Sequence, residues 1–131
     1  MAELTRSGAS LASLTPGSDQ LVACIAGEAL VAGDACYIRA SDGRAMRSTG
    51  AAAGAAAKVR GFAVTAKAVG EAITLAFDVR FNYGTALTPG ADLYVSGTVP
   101  GGLADAASIG GTGAVGYVVD ANRVHLYSSR Y

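Results

Sequence analysis

Apolar and polar positions alternate with a period of two along most of this chain, in short runs closed by turn residues. Leu21–Ile25 is a compact apolar run that predicts a strand. Residues 35–39 form the next, with Cys36 and Ile38 on one face and Tyr37 on the other. Asp42 and Gly43 follow as a tight-turn dipeptide. It predicts a type I′ hairpin returning through residues 44–48. The clearest alternation lies in residues 72–80, where Ile73, Leu75, Phe77 and Val79 interleave with Ala72, Thr74, Ala76 and Asp78. That pattern predicts one long strand with a single apolar face. Shorter β patterns cover 59–66 and 93–95. Residues 114–120 and 123–127 predict a terminal hairpin across Asp120, Ala121 and Asn122. The Ala-Gly tract 50–57 is too short and too interrupted for a stable helix, so it reads as a loop or a single helical turn. Short strands at regular spacing with Gly-rich turns predict an all-β fold, a compact sandwich or barrel-like domain of antiparallel strands.

The pattern also repeats. Leu30, Gly33, Tyr37 and Ile38 return in the same register as Leu87, Gly90, Tyr94 and Val95. Gly61, Phe62, Ala63 and Val64 return as Gly116, Tyr117, Val118 and Val119. The run from Ile73 to Phe77 resembles that from Val124 to Tyr127. The order is the same in both copies, which predicts two related β-rich halves, about 21–80 and 81–131, forming one domain. Residues 1–20 stand apart. They are rich in Ser, Thr, Ala and Gly and hold few apolar side chains, among them Leu4, Leu11 and Leu14. Two readings stay open, a frayed terminus or an extended arm ordered against a partner, and the otherwise idle leucines favour the arm.

A length of 131 residues allows about one domain with a real core. The charged share, 15%, is well below that of an ordinary soluble domain. Either neighbours cover part of the surface, or Ala, Gly, Ser and Thr simply make an uncharged exterior. Ten basic and ten acidic residues give a net charge of zero, and no basic run is present. The electrostatic footprint of a nucleic-acid binder is therefore missing. Apolar stretches are too short to span a membrane, and the N-terminus lacks the apolar core of a signal peptide.

Candidate chemistry is sparse. His125 is the only histidine and sits on a predicted strand, which makes a structural or solvated role the expectation. Cys24 and Cys36 lack a Cys-x-x-Cys spacing or a zinc constellation. They read as buried thiols, with a cross-strand disulfide as the alternative. No nucleophile elbow or phosphate loop occurs. Asp34, Asp42, Asp92, Asp105 and Asp120 fall at predicted turns, where such residues cap their own backbone. No catalytic, cofactor-binding or metal-binding set emerges. Arg39, Arg44, Arg47 and Arg60 are the candidate interface cations, either a solvated strand edge or partners for an acidic neighbour. Tyr37 and Tyr94 read as core residues or as interface aromatics.

The Gly-x-x-x-Tyr phrase, the Gly-aromatic-x-Val strands and the Pro-Gly-Gly loop together carry a resemblance over residues 21–127. In segments 27–48, 59–75, 87–105 and 115–127 the chain resembles the capsid decoration, or cement, proteins of tailed bacteriophages. The resemblance implies a non-enzymatic protein without cofactor, made in the host cytoplasm and placed on the outer surface of the virion head. It implies a homotrimer that bridges neighbouring major capsid protein subunits. The family often contacts the shell through an N-terminal segment, so Leu4, Leu11 and Leu14 are the candidate contacts here. A head-fibre or tail-associated module binding host-surface glycans is the alternative. It would need exposed aromatics near polar groups, whereas the tyrosines look scattered along the sequence.

Overall fold

The computed structural model describes residues 4–6, 9–12 and 20–128, and among these the chain is almost entirely β. Its strands are β1 (Ser10–Leu11), β2 (Leu21–Ile25), β3 (Ala35–Ile38), β4 (Ala45–Arg47), β5 (Gly61–Ala63), β6 (Ala72–Ala76), β7 (Val79–Asn82), β8 (Asp92–Val95), β9 (Leu103–Ala104), β10 (Gly116–Val118) and β11 (Arg123–Leu126). The Ala-Gly tract contributes one 3₁₀ turn, Ala55–Ala57, in keeping with its low helical persistence.

Two antiparallel sheets result, with the same topology. The first runs β2-β6-β5-β3-β4. The second runs β7-β11-β10-β8-β9, with β1 added outside β7. The internal repeat is thus a repeat of whole sheets. Matching hydrogen bonds fix the equivalence. Gly33 N donates to Ala63 O at 2.8 Å, and Gly90 N to Val118 O at 2.9 Å. Arg60 N donates to Cys36 O at 2.8 Å, and Val115 N to Leu93 O at 2.7 Å. Arg39 N donates to Arg44 O at 2.9 Å, and Ser96 N to Gly102 O at 3.0 Å. Gly33 and Gly90 share a left-handed backbone, with φ of 88° and 84°.

Three expectations change. The alternation through 72–80 does not make one strand. It breaks at Phe77 and Asp78, and β6 and β7 belong to different sheets. Phe77 N still donates to Gln20 O, the last rung toward β2, and the chain then turns at Asp78, which adopts φ 55°. The third sequence echo is shifted by two residues. Ala63 pairs with Leu75 and Val118 with Val124, so Leu75 corresponds to Val124. The β3–β4 turn is not type I′, because only Gly43, at φ 72°, is left-handed. Asp42 instead uses its carboxylate to accept from Arg44 N at 3.2 Å.

The sandwich core joins the sheets. Ala35, Phe62 and Ala76 of the first sheet pack with Val79, Phe81, Leu93, Val95, Val124 and Leu126 of the second. Phe62 and Phe81 meet as tilted rings 6.3 Å apart. Burying each aromatic contributes about 2–3 kcal/mol through lost apolar contact with water. The opposite face of the first sheet holds a smaller cluster of Leu30, Cys36, Ala45, Ala63, Ile73 and Leu75. Neighbouring residues on one strand therefore serve different cores, as Phe62 and Ala63 do. The first sheet curls so far that Ala26 bridges Ala45 and Gly27 N donates to Ala45 O at 2.9 Å.

Candidate interaction site

The described part of the N-terminal segment lies on the β-domain. Leu4 N donates to Leu103 O at 3.0 Å, and the Leu4 side chain is half-buried against the main core. Ser10 and Leu11 pair with Asn82 and Phe81. Leu14 lies outside the described residues. Of the three leucines named as arm contacts, Leu4 packs on its own domain and Leu11 is held by its backbone in a sheet.

One ion pair locks this segment. Arg6 Nη1 donates to Asp34 Oδ1 at 2.9 Å and to Ala32 O at 3.0 Å, while Nη2 donates to Gly101 O at 3.3 Å. The guanidinium lies 5.4 Å from the Tyr83 ring centroid. Asp34 and Tyr83 are buried. Asp34 Oδ2 also accepts from Val31 N at 2.9 Å, the turn role its sequence position predicts. Burial pushes the Tyr83 hydroxyl above its ordinary pKa despite the nearby Arg6 charge. Gly33 and Gly101 flank this site. A Cβ on Gly33 would meet Ala9 Cβ at 3.0 Å, and one on Gly101 would meet Asp34 Oδ1 at 2.7 Å.

The four candidate interface arginines do not gather into one free patch. Arg39 and Arg44 both pair with Asp42, Arg44 at 3.7 Å. Arg47 pairs with Glu28 at 3.1 Å, and Glu28 Oε2 accepts from Arg47 N at 2.9 Å. Their acidic partners thus lie within the chain. Arg60 is exposed beside a shallow hollow shared with Tyr37, Ile38, Ala55 and Lys58. Tyr37 and Tyr94 are both half-buried.

The outer face of the second sheet carries the most distinctive surface. Register equates Tyr117 with Phe62, His125 with Ala76 and Asp92 with Ala35. The first-sheet residues are buried between the sheets, but Tyr117 is 40% exposed. Tyr117 and His125 stack with ring centroids 5.4 Å apart at 26°, and Tyr127 lies 6.4 Å from His125. Arg80 is the register partner of His125, and Asp92 that of Tyr117. Burial holds His125 below its ordinary pKa; Arg80 adds to this and Asp78 opposes it. His125 Nδ1 is buried without a hydrogen-bond partner among the described residues.

Sequence reading missed this cluster because its members come from two strands. The signal was available in the i, i+2 spacing of His125 and Tyr127 and in a hairpin register that sets Tyr117 opposite His125. Elsewhere, a groove of about 240 Å³ beside Leu4, Thr5, Thr85, Leu87 and Leu93 holds Asp105 as its one ionisable lining residue. Among the described residues no three of His, Cys, Asp and Glu converge as metal ligands. Cys24 and Cys36 are free thiols, and burial raises the pKa of both. No protein-family model and no curated protein matches the chain.

Proposed function

We propose that this chain is a structural protein of a tailed-bacteriophage head, decorating the outer surface and stabilising it by bridging neighbouring major capsid protein subunits. The sequence resemblance supplies the class. The observation that carries the proposal is the Tyr117, His125 and Tyr127 cluster, in which Tyr117 is exposed where its counterpart Phe62 is buried, and His125 and Tyr127 are half-buried beside it. Tyrosine beside arginine on a rigid sheet is the composition of a protein-contacting surface. The N-terminal segment supports the proposal by bracing that sheet, since β1 pairs with β7 two strands from Tyr117. The direct test is binding to phage shells that lack this protein, using a Tyr117→Asp variant. Retained folding with lost shell binding supports the assignment. Undiminished binding removes this face from it.

Host-glycan binding is the second reading, favoured by the same cluster, because three aromatic rings gather near Arg80 and Asp92. A sugar ring stacks on an open aromatic face. Here one face of Tyr117 is taken by the stack on His125, and the ring as a whole is only 40% exposed, which leaves less open aromatic face than a sugar platform offers. The protein-contact reading fits that geometry better, and a glycan screen with the same Tyr117→Asp variant separates the two.

A further inference from the structure

We propose that the seam between the two edges of the second sheet is a strand-exchange site, filled by the N-terminal segment of a second copy of this chain. The equivalence of the sheets leads there. In the first sheet the seam is closed by the chain that directly continues β2, through Gly27 N to Ala45 O. The counterpart of Ala45 is Leu103, because Ile38 pairs with Ala45 as Val95 pairs with Leu103. Leu103 O accepts instead from Leu4 N, a residue remote in sequence. The same segment reaches the other edge, where Ser10 and Leu11 pair with β7 and Ala12 N donates to Arg80 O at 2.6 Å. One sheet closes with contiguous chain, and the other borrows a separate strand.

The socket is shaped for that strand. A Cβ on Gly84 would lie 2.9 Å from Thr5 O, and one on Gly33 would crowd Ala9. The contacts include main-chain bonds, the Arg6–Asp34 pair, the packing of Leu4 on the core and a 2.9 Å bond from Asn82 Nδ2 to Ser10 Oγ. All of them form equally well whichever copy supplies the segment, the condition under which exchange is nearly neutral in energy.

Chain length permits the crossing. Ala12 is anchored on Arg80, while Gln20 accepts from Phe77 N and donates to Asp78 O, so both anchors fall within four consecutive strand-end positions. Closing the segment on its own chain needs a span of roughly 10 Å at strand spacing. The eight peptide steps from Ala12 to Gln20 reach up to about 27 Å when extended, enough to enter a neighbour's seam. High local concentration, as on any crowded surface, favours the exchanged form. The inference holds whatever surface the assembly covers.

Disulfide trapping in the full-length chain tests it. Ser10 and Asn82 are register partners, so a cysteine at each meets only when the segment sits in the seam. A Ser10→Cys chain mixed with an Asn82→Cys chain and then oxidised is expected to give a mixed disulfide dimer that rises with concentration. Adding Arg6→Ala to the first chain is expected to reduce it. Ser10→Cys mixed with Ser41→Cys, on the exposed β3–β4 turn, reports random collision. The proposal is overturned if the mixed dimer never exceeds that background at any concentration while a Ser10→Cys, Asn82→Cys double variant links quantitatively within single chains.

Discussion

Arg6 and Asp34 meet at 2.9 Å and join three parts of the chain that sequence keeps far apart: the N-terminal segment, the Gly33 turn of the first sheet and the Gly101 turn of the second. Asp34 is almost fully buried, and Arg6 is the cation bonded to its carboxylate. Replacing Arg6 by Ala leaves a buried carboxylate uncompensated and is expected to destabilise the fold by about 3 kcal/mol. An Asp34→Asn, Arg6→Ala double variant is expected to lose less than the sum of the two single changes. Urea unfolding of the four proteins in a double-mutant cycle measures the coupling. For the same reason, deleting residues 2–20 lowers stability as well as any binding, so point substitutions are the cleaner probes of a partner.

The equivalent turns offer an internal control. Gly43 and Gly101 share a left-handed backbone, at φ 72° and 76°. A Cβ on Gly43 meets nothing within 4 Å, whereas one on Gly101 reaches Asp34 Oδ1 at 2.7 Å. Gly43→Ala is expected to cost about 1 kcal/mol from backbone conformation alone. Gly101→Ala carries the same strain plus a displaced ion pair, and is expected to cost about 2–4 kcal/mol. Equal losses in thermal or urea unfolding would contradict the placement of Asp34 under Gly101.

Phe62 and Tyr117 hold the same place in the two sheets but serve different ends. Phe62→Ala removes a ring from between the sheets and is expected to cost about 3–5 kcal/mol. Tyr117→Ala loses an exposed ring and its stack on His125, which is expected to cost about 1 kcal/mol. Its larger effect should fall on shell binding. Chemical denaturation of each variant, set beside its binding, checks both halves of this statement.

His125 gives stability a pH dependence of known sign. Its folded pKa lies below the ordinary value of 6.5, because burial disfavours the imidazolium. The unfolded chain therefore takes up the proton first as pH falls. The stabilising contribution is complete above the unfolded pKa and is lost as pH drops through it toward the lower folded value. Asp42, held at about 2 by Arg39 and by its bond from Arg44 N, acts in a separate window, since its contribution disappears only as pH falls below its ordinary 3.8. The melting temperature is expected to decline between pH 7.5 and about 5, and His125→Gln is expected to flatten that part of the profile.

Much of the fold was legible because local chemistry and global structure agree. Leu21–Ile25 and the hairpin across Asp120 and Asn122 form where alternation and turn residues place them. The repeated Gly33 and Gly90 turns mark the two equivalent sheets before any pairing is known. The break at Asp78 was hidden, because Leu75, Val79 and Phe81 keep the two-residue period on both sides of it. Only the left-handed Asp78 backbone divides the sheets, and aspartate at that angle has no distinctive sequence signature. The third echo slipped because the β10–β11 turn is shorter than the β5–β6 connection. The Arg6–Asp34 pair had no local signal at all, since nothing in the spacing of its members brings them together.

Co-sedimentation with shells of the source phage that lack this protein, before and after expansion, is the decisive measurement for a role on the head. Saturable binding to expanded shells is expected at a fixed ratio to the major capsid protein, lost on Tyr117→Asp while the variant stays folded. Absence of binding to either form of the shell, by a protein that unfolds as cooperatively as its core requires, would contradict it.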